Sequence, residues 1–406
     1  MSEIWLVRHG ETTSNAAGVW QGQGDVALNE RGRAQARVLG ERLGRVAFDV
    51  VLASDLGRAR DTAAGAGLQA EPDPAWQEMD IGCWDGLTRE EVEARHGDEL
   101  LALMAGEDLA FGGGETWSGF AARIDAALAA LRERVGRAER ALVFTHGAVI
   151  HSAVTGVLRL RPPQRPSPVE HGPNTALTVL VDDGNRLRVR ALNDAAHLGA
   201  APAPGGRATV VGLARHGESE ANTSGIWHGT TDGPLSPRGR LQGAELSARY
   251  DTVDHVYTSG LQRARLTAAA FSAGRNLEPA VRLDLHEMAY GEWEGLTSEQ
   301  IRETFPGDWA ANYVDGGDLP RGRTGETAAG AAARMRRAVE EIAAAHPGER
   351  VLAFSHGGAI RACVGGILGL GAAARDLLES PGNTSVTHLR VGPRGIFVAD
   401  YDTGVV

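Results

Sequence analysis

The sequence predicts an α/β protein built as two tandem domains. Two observations carry this: an internal repeat of domain length and, within each copy, short apolar runs alternating with helical patterns. Arg8-His9-Gly10-Glu11 returns as Arg215-His216-Gly217-Glu218, with 216 − 9 = 207 between the histidines and 222 − 15 = 207 between Asn15 and Asn222. Ser54 to Arg60 answers to Ser259 to Arg265. Glu78-Met79 with Gly82, Trp84 and Gly86 answers to Glu287-Met288 with Gly291, Trp293 and Gly295. Thr145-His146-Gly147 pairs with Ser355-His356-Gly357, and Asn174-Thr175 with Asn383-Thr384. A period of this length is a whole domain, far too long for a solenoid repeat.

Each element follows from local pattern. Ile4 to Val7 and Val210 to Ala214 are apolar runs that end in the Arg-His-Gly-Glu motif, which places it at the carboxyl end of a strand. Asn29 and Ser236 are helix N-cap residues, the latter followed by a first-turn proline, Pro237. After Thr116 a helix is expected, because Phe120, Ile124, Leu128, Leu131 and Val135 form one apolar stripe. Ala141 to Phe144 and Val351 to Phe354 read as buried strands that end at the second histidine of each copy. An apolar helical pattern follows the first of them, at Val149, Ile150, Ala153, Val154 and Val157. Two histidines at the carboxyl ends of strands in a predominantly parallel sheet are placed as in an α/β ligand crevice. The Pro/Gly/Ala stretch beginning at Gly199 sets the boundaries: domain one at 1–198, a linker at 199–208 and domain two at 209–406.

At 406 residues each half is large enough to bury roughly 70% of its unfolded surface. Neither should need a staple. Cys83 and Cys363 stand at non-equivalent places, opposite Glu292 and Ala153, and read as incidental thiols of a reducing, cytoplasmic setting. No leader-like or membrane-spanning run is visible, and the net charge of −11 argues against a nucleic-acid or membrane-surface partner. All 41 basic residues are arginine, which excludes lysine Schiff-base chemistry and the lysine of Walker-type nucleotide sites.

One repeat's motifs group Arg8, His9, Arg58, His146 and Glu78, with Asn15 close in sequence. Planar guanidiniums bind phosphoryl oxygens in pairs and offset charge during transfer, so this set suits a phosphoryl group. A neutral histidine there can serve as nucleophile, and a carboxylic acid such as Glu78 or Glu287 can protonate the leaving alkoxide and later activate water. Read as metal ligands, His9, Glu11 and His146 fit no zinc-type spacing. Trp84 and Trp293 read as packing residues, Arg60 and Arg265 as ordinary charges.

With these segments both halves resemble the histidine phosphatase superfamily, in its phosphoglycerate mutase-like branch, over nearly their whole length. The resemblance implies three-layer α/β/α domains, each with a mainly parallel mixed sheet between helices, and no metal or other cofactor. It implies His9 and His216 as phosphoryl acceptors and Glu78 and Glu287 as proton donors. Arg8, Asn15, Arg58 and His146, with Arg215, Asn222, Arg263 and His356, would form the two phosphate pockets. The expected activity is hydrolysis of a small phosphorylated metabolite. Mutase-type transfer and a catalytic domain paired with a regulatory one are the alternatives, and the short segments Glu78-Met79-Asp80-Ile81-Gly82 and Glu287-Met288-Ala289-Tyr290-Gly291 resemble the phosphatase branch. A protein-phosphohistidine phosphatase is a third option, though its relatives lack the acid segment. His228 departs from the pattern, standing where Gln21 stands in the first copy. Between the acid and the second histidine the copies diverge: Thr88 to Gly114 carries Glu90, Glu91, Glu93, Asp98, Glu99, Glu107 and Asp108, whereas Thr297 to Gly325 carries Arg302, Arg321 and Arg323. Since loops hold specificity, the second site is expected to take the more anionic substrate.

Overall fold

A computed structural model of the chain describes residues 1–160, 167–199, 201–204, 206–250 and 252–404. Ala200 and Gly205 of the expected linker lie outside the described residues. The chain divides into two compact units, Met1–Leu198 and Gly199–Val406.

In the first unit the strands are β1 (Ser2–Arg8), β2 (Val50–Ala53), β3 (Glu71–Pro72), β4 (Arg140–Thr145), β5 (Leu177–Asp182) and β6 (Leu187–Asp194). The second has β7 (Thr209–Arg215), β8 (His255–Thr258), β9 (Ala280–Val281), β10 (Arg350–Ser355), β11 (Val386–Gly392) and β12 (Gly395–Val398). They order as β3-β2-β4-β1-β5-β6 and, equivalently, β9-β8-β10-β7-β11-β12. Within the first sheet β3, β2, β4 and β1 are parallel, and β5 and β6 run antiparallel at one side. Helices flank each sheet, which gives the mixed α/β sandwich that the sequence predicts.

The core forms where the apolar pattern placed it. Leu6, Val7, Val143 and Phe144 of the central strands are fully buried, and so is the stripe of Phe120 and Ile124 on helix Trp117–Arg134. Each such side chain stabilises the fold by roughly 1.5–3 kcal/mol. Thr116, Asn29 and Ser236 cap their helices through side-chain oxygens that accept backbone N–H groups of Gly119, Gly32 and Gly239. Among the described residues no helix is long and apolar enough to cross a membrane.

Ahead of helices Trp117–Arg134 and Ala328–Ala345, the first unit has helix Arg89–Met104, kinked at His96, where the second has Ser298–Thr304 followed by Pro306–Tyr313. The break falls at matching places: Phe305, before Pro306, sits at φ −126, ψ 52, and His96, before Gly97, sits at φ −136, ψ 31.

A pair of glycines brings a helix against the motif loop. A Cβ on Gly32, in the first turn of helix Glu30–Leu43, would stand 2.1 Å from the Glu11 carbonyl oxygen, and one on Gly10 would stand 2.7 Å from the Gly32 carbonyl oxygen. Gly217 and Gly239 repeat the arrangement. Backbone leaves no flexible atom to give way, so Gly32→Ala should destabilise the first unit by about 1–3 kcal/mol through overpacking. Urea unfolding checks this; an unchanged midpoint would refute it.

Candidate active site

Strand register sets the centre of the first site. Arg8 pairs with Thr145 across β1 and β4, so the residues that follow, His9 and His146, leave the sheet side by side. Their ring centroids are 5.2 Å apart. The His9 N–H donates to the Thr145 carbonyl at 2.9 Å, which holds the motif to the neighbouring strand. The His9 ring is buried, and its Nδ1–H donates to the Gly10 carbonyl at 2.8 Å. A carbonyl only accepts, so this bond sets the tautomer and leaves the lone pair on Nε2. Burial, with the charges of Arg58 and Arg8, pushes the His9 pKa well below the usual imidazole value, so the ring is neutral.

Arg58 is buried and Arg8 half-buried, and among the described residues neither is ion-paired with a carboxylate. Arg8 donates to the Gly172 carbonyl at 2.6 Å, and Arg58 donates to those of Gly24 and Gly22 at 2.9 and 2.7 Å. The Nε atoms of both are buried without an acceptor. Buried cations of this kind are costly unless an anion completes them, which marks the space between them as an anion pocket. Asn15 borders it. Its Oδ1 accepts from the Thr12 N–H and from Asn174 Nδ2, which leaves its amide NH2 for a ligand.

Glu78 lies on the same cavity, accepting N–H groups from Met79 at 2.9 Å and Ala148 at 3.2 Å. Burial raises its pKa above the ordinary carboxyl value, against the lowering effect of those bonds and of Arg58 and Arg8. His146 is fixed by a 2.8 Å contact between Nε2 and Ser54 Oγ.

The second unit rebuilds this arrangement from β7 and β10. Arg215 pairs with Ser355, His216 and His356 lie 5.1 Å apart between ring centroids, and the His216 Nδ1–H donates to Gly217 at 2.6 Å. Arg263 donates to the carbonyls of Gly229 and Thr231, and Arg215 to that of Pro381. Glu287 accepts three backbone N–H groups, from Met288, Gly358 and Ala359. Asn222 Oδ1 meets Asn383 and the Ser219 N–H as Asn15 meets their counterparts. All twelve residues singled out from sequence therefore gather at two sites, six in each.

The model of the histidine phosphatase superfamily (branch 1) matches residues 4–195 and again 211–403. The chain belongs to the histidine phosphatase superfamily. It is 35% identical over 165 residues to the "Probable phosphoglycerate mutase GpmB" of Erwinia tasmaniensis, covering 39% of this chain and 76% of that protein. It is 31% identical over 160 residues to phosphoserine phosphatase 1 of Hydrogenobacter thermophilus, covering 39% and 75%. With the metal-independent phosphoserine phosphatase of Arabidopsis thaliana the identity is 38% over 160 residues, covering 37% and 67%.

The candidate sites of the two units have unlike surroundings. The first opens into a cavity of about 490 Å³ walled by Trp20, Ile81, Phe111 and Trp117. None of the acids of Thr88 to Gly114 lines it: Glu91 caps its own helix, Glu99 accepts the Gly112 N–H and Asp108 binds Ser118. In the second, Tyr290 replaces Ile81, its hydroxyl 2.5 Å from where a Cβ on Gly358 would stand. Beside it a narrow cavity of about 30 Å³ meets Arg321, Arg361 and Arg375. Of the three arginines expected there, only Arg321 turns inward; Arg323 is exposed and ion-paired with Asp308 and Glu292, and Arg302 is exposed over Trp309. His228 stands against Arg263, which with burial lowers its pKa.

Sequence reasoning left Ser54, Thr62 and Asn174 out of the site. Thr62 Oγ1 accepts the Gly10 N–H at 2.9 Å and donates to the Arg58 carbonyl at 2.6 Å, so it ties motif to pocket. Asn174 Nδ2 donates to the His9 carbonyl at 2.9 Å. Their signal was present as matched pairs, since Ser259, Thr267 and Asn383 make the same bonds. Orthophosphate should bind both pockets and raise the melting temperature, and Arg58→Ala with Arg263→Ala should remove that rise. A phosphate-dependent shift that survives in the double variant would refute the pocket assignment.

Proposed function

We propose that the chain is a metal-independent phosphomonoester hydrolase that works through a phosphohistidine, with a complete set of groups in each unit. The observation that carries this is the His9 ring: Nδ1–H is spent on Gly10, and the neutral Nε2 belongs to a pocket with two carboxylate-free guanidiniums whose Nε atoms are buried. His216 repeats it. Phosphatases and a mutase among the relatives support phosphoryl transfer as the shared reaction.

In this reading His9 Nε2 attacks phosphorus and the bond to the substrate oxygen breaks. Arg8, Arg58, His146 and the Asn15 amide hold the phosphoryl oxygens. Glu78, kept protonated by burial, gives its proton to the departing alkoxide. As carboxylate it then takes a proton from water, whose oxygen attacks phosphorus and releases phosphate and neutral His9. Glu287, held by three backbone N–H groups, stands in the corresponding place in the second site. The roomy first cavity admits water beside the product, which favours hydrolysis over the mutase outcome, where the phosphohistidine must wait for a second transfer. Its aromatic wall suits a phosphate ester with a sizeable organic part. The arginines and Tyr290 beside the second site suit a smaller substrate with a further anionic group.

The decisive experiment is hydrolysis of a phosphomonoester panel in EDTA by wild type, His9→Ala, His216→Ala and the double variant. Each single variant should lose a different part of the activity and the double all of it, with esters bearing a second anion depending on His216. A single variant that matches wild type on every substrate would instead make that unit a binding or regulatory domain.

The pKa directions predict the pH profile of the first site in the His216→Ala chain. His9 attacks only when neutral, so its depressed pKa keeps it active well into the acid range. Glu78 donates only when protonated, so activity falls as pH rises through its elevated pKa. In Glu78→Gln that alkaline limb should disappear, with losses of about 10²–10⁴-fold on alkyl phosphates and much less on a nitrophenyl ester, whose leaving group needs no proton. An unchanged alkaline limb would exclude Glu78 as the acid.

A further inference from the structure

The amino-terminal edge of the second sheet carries a cluster that the first sheet lacks. His255 opens β8, and Glu349 directly precedes β10; these strands are adjacent and parallel, with Val351 in register with His255. His346 is the C-cap of helix Ala328–Ala345. The turn His346-Pro347-Gly348-Glu349 closes by a 3.3 Å bond from the Glu349 N–H to the His346 carbonyl, with Gly348 at φ +82, a conformation glycine takes without steric cost. Thr209 Oγ1 donates to the His346 carbonyl at 2.6 Å and accepts the Gly348 N–H at 3.2 Å. Backbone elements thus hold all three side chains in place. The first unit has Val50, Gly136 and Glu139 at these positions, so only the carboxylate is shared.

Glu349 Oε2 lies 3.0 Å from His255 Nε2 and 3.2 Å from His346 Nδ1, and the three donor atoms are all within 4.8 Å of one another. Donors about 2.0–2.1 Å from a tetrahedral zinc ion are separated by roughly 3.3 Å, which the two carboxylate–imidazole distances match, and seating an ion requires the stacked rings to turn so that their lone pairs converge. The two rings stack at 3.7 Å with their planes 26° apart. Tyr257 adds an outer partner: with the His346 Nε2–H donating to its hydroxyl 2.9 Å away, Nδ1 presents its lone pair to an ion. His255 and Glu349 are partly exposed, leaving a fourth position to water. The helix also ends here, and its carbonyl terminus favours a cation.

We infer that His255, His346 and Glu349 form a binding site for a divalent metal of the zinc class, which fastens β8, the end of helix Ala328–Ala345 and the start of β10 together. Two imidazoles with one carboxylate suit zinc, cobalt or nickel better than magnesium or calcium. The site is separate from phosphoryl transfer. The catalytic histidines follow the opposite ends of β7 and β10, about 20 Å away along a six-residue strand.

The test is calorimetric titration of Zn²⁺ into the EDTA-stripped, dialysed full chain, compared with His255→Val/Glu349→Gln; valine is what the first unit carries at that strand position. Wild type should bind one equivalent more than the variant, and Zn²⁺ should raise its melting temperature by several degrees in a step the variant lacks. Equal stoichiometry, or affinities within threefold, overturns the site. Should that variant fail to fold in EDTA, His346→Gln replaces it under the same criteria.

Discussion

The parallel pairing of β1 with β4, and of β7 with β10, is the constraint on which each site depends. Because Arg8 stands opposite Thr145 and Arg215 opposite Ser355, the next residue on each strand is a histidine leaving the sheet at the same level. A one-residue slip would turn every side chain of a central strand to the other face, taking Leu6 and Phe144 out of their core contacts. Core packing and histidine placement are therefore specified together. The Gly10–Gly32 and Gly217–Gly239 approaches bring a helix onto the loop that follows.

Around that frame each unit holds cations that folding alone would not favour. Arg8, Arg58, Arg215 and Arg263 lie in low-dielectric surroundings, satisfied partly by backbone carbonyls instead of by carboxylates. Pairing them with acids would stabilise the fold and fill the place an anionic ligand needs. The same burial that lowers the pKa of His9 raises that of Glu78. One environment thus shifts an imidazole and a carboxyl group in opposite directions, as the proposed reaction requires.

The duplicated frame carries unlike walls. Ile81 and Tyr290, His151 and Arg361, and Phe111 and Arg321 stand at matching places, so the first cavity is walled by aromatic rings while a narrow cavity beside the second site is lined by arginines and tyrosines. The change lies in the segments after the acid and in the helix after the second histidine, leaving strand register untouched. The cluster of His255, His346 and Glu349 lies at the opposite end of the second sheet, where the first unit has Val50, Gly136 and Glu139.

By itself the sequence determined the two-unit α/β architecture and pointed to twelve residues that the fold gathers in two groups of six. Apolar runs ending in Arg-His-Gly-Glu, caps such as Asn29 and Ser236, and a motif series repeated in register are all local signals, legible because backbone periodicity acts over a few residues. Tertiary structure alone decided which guanidiniums face a pocket and which face solvent. Arg321 and Arg323 are two residues apart with opposite fates, because Arg321 is drawn in by Asn312 and the Leu319 carbonyl while Arg323 is held outside by Asp308. Arg361, Arg375 and the trio of His255, His346 and Glu349 were invisible for the same reason: their neighbours are set by strand pairing and helix packing between distant segments, which spacing along the chain does not encode.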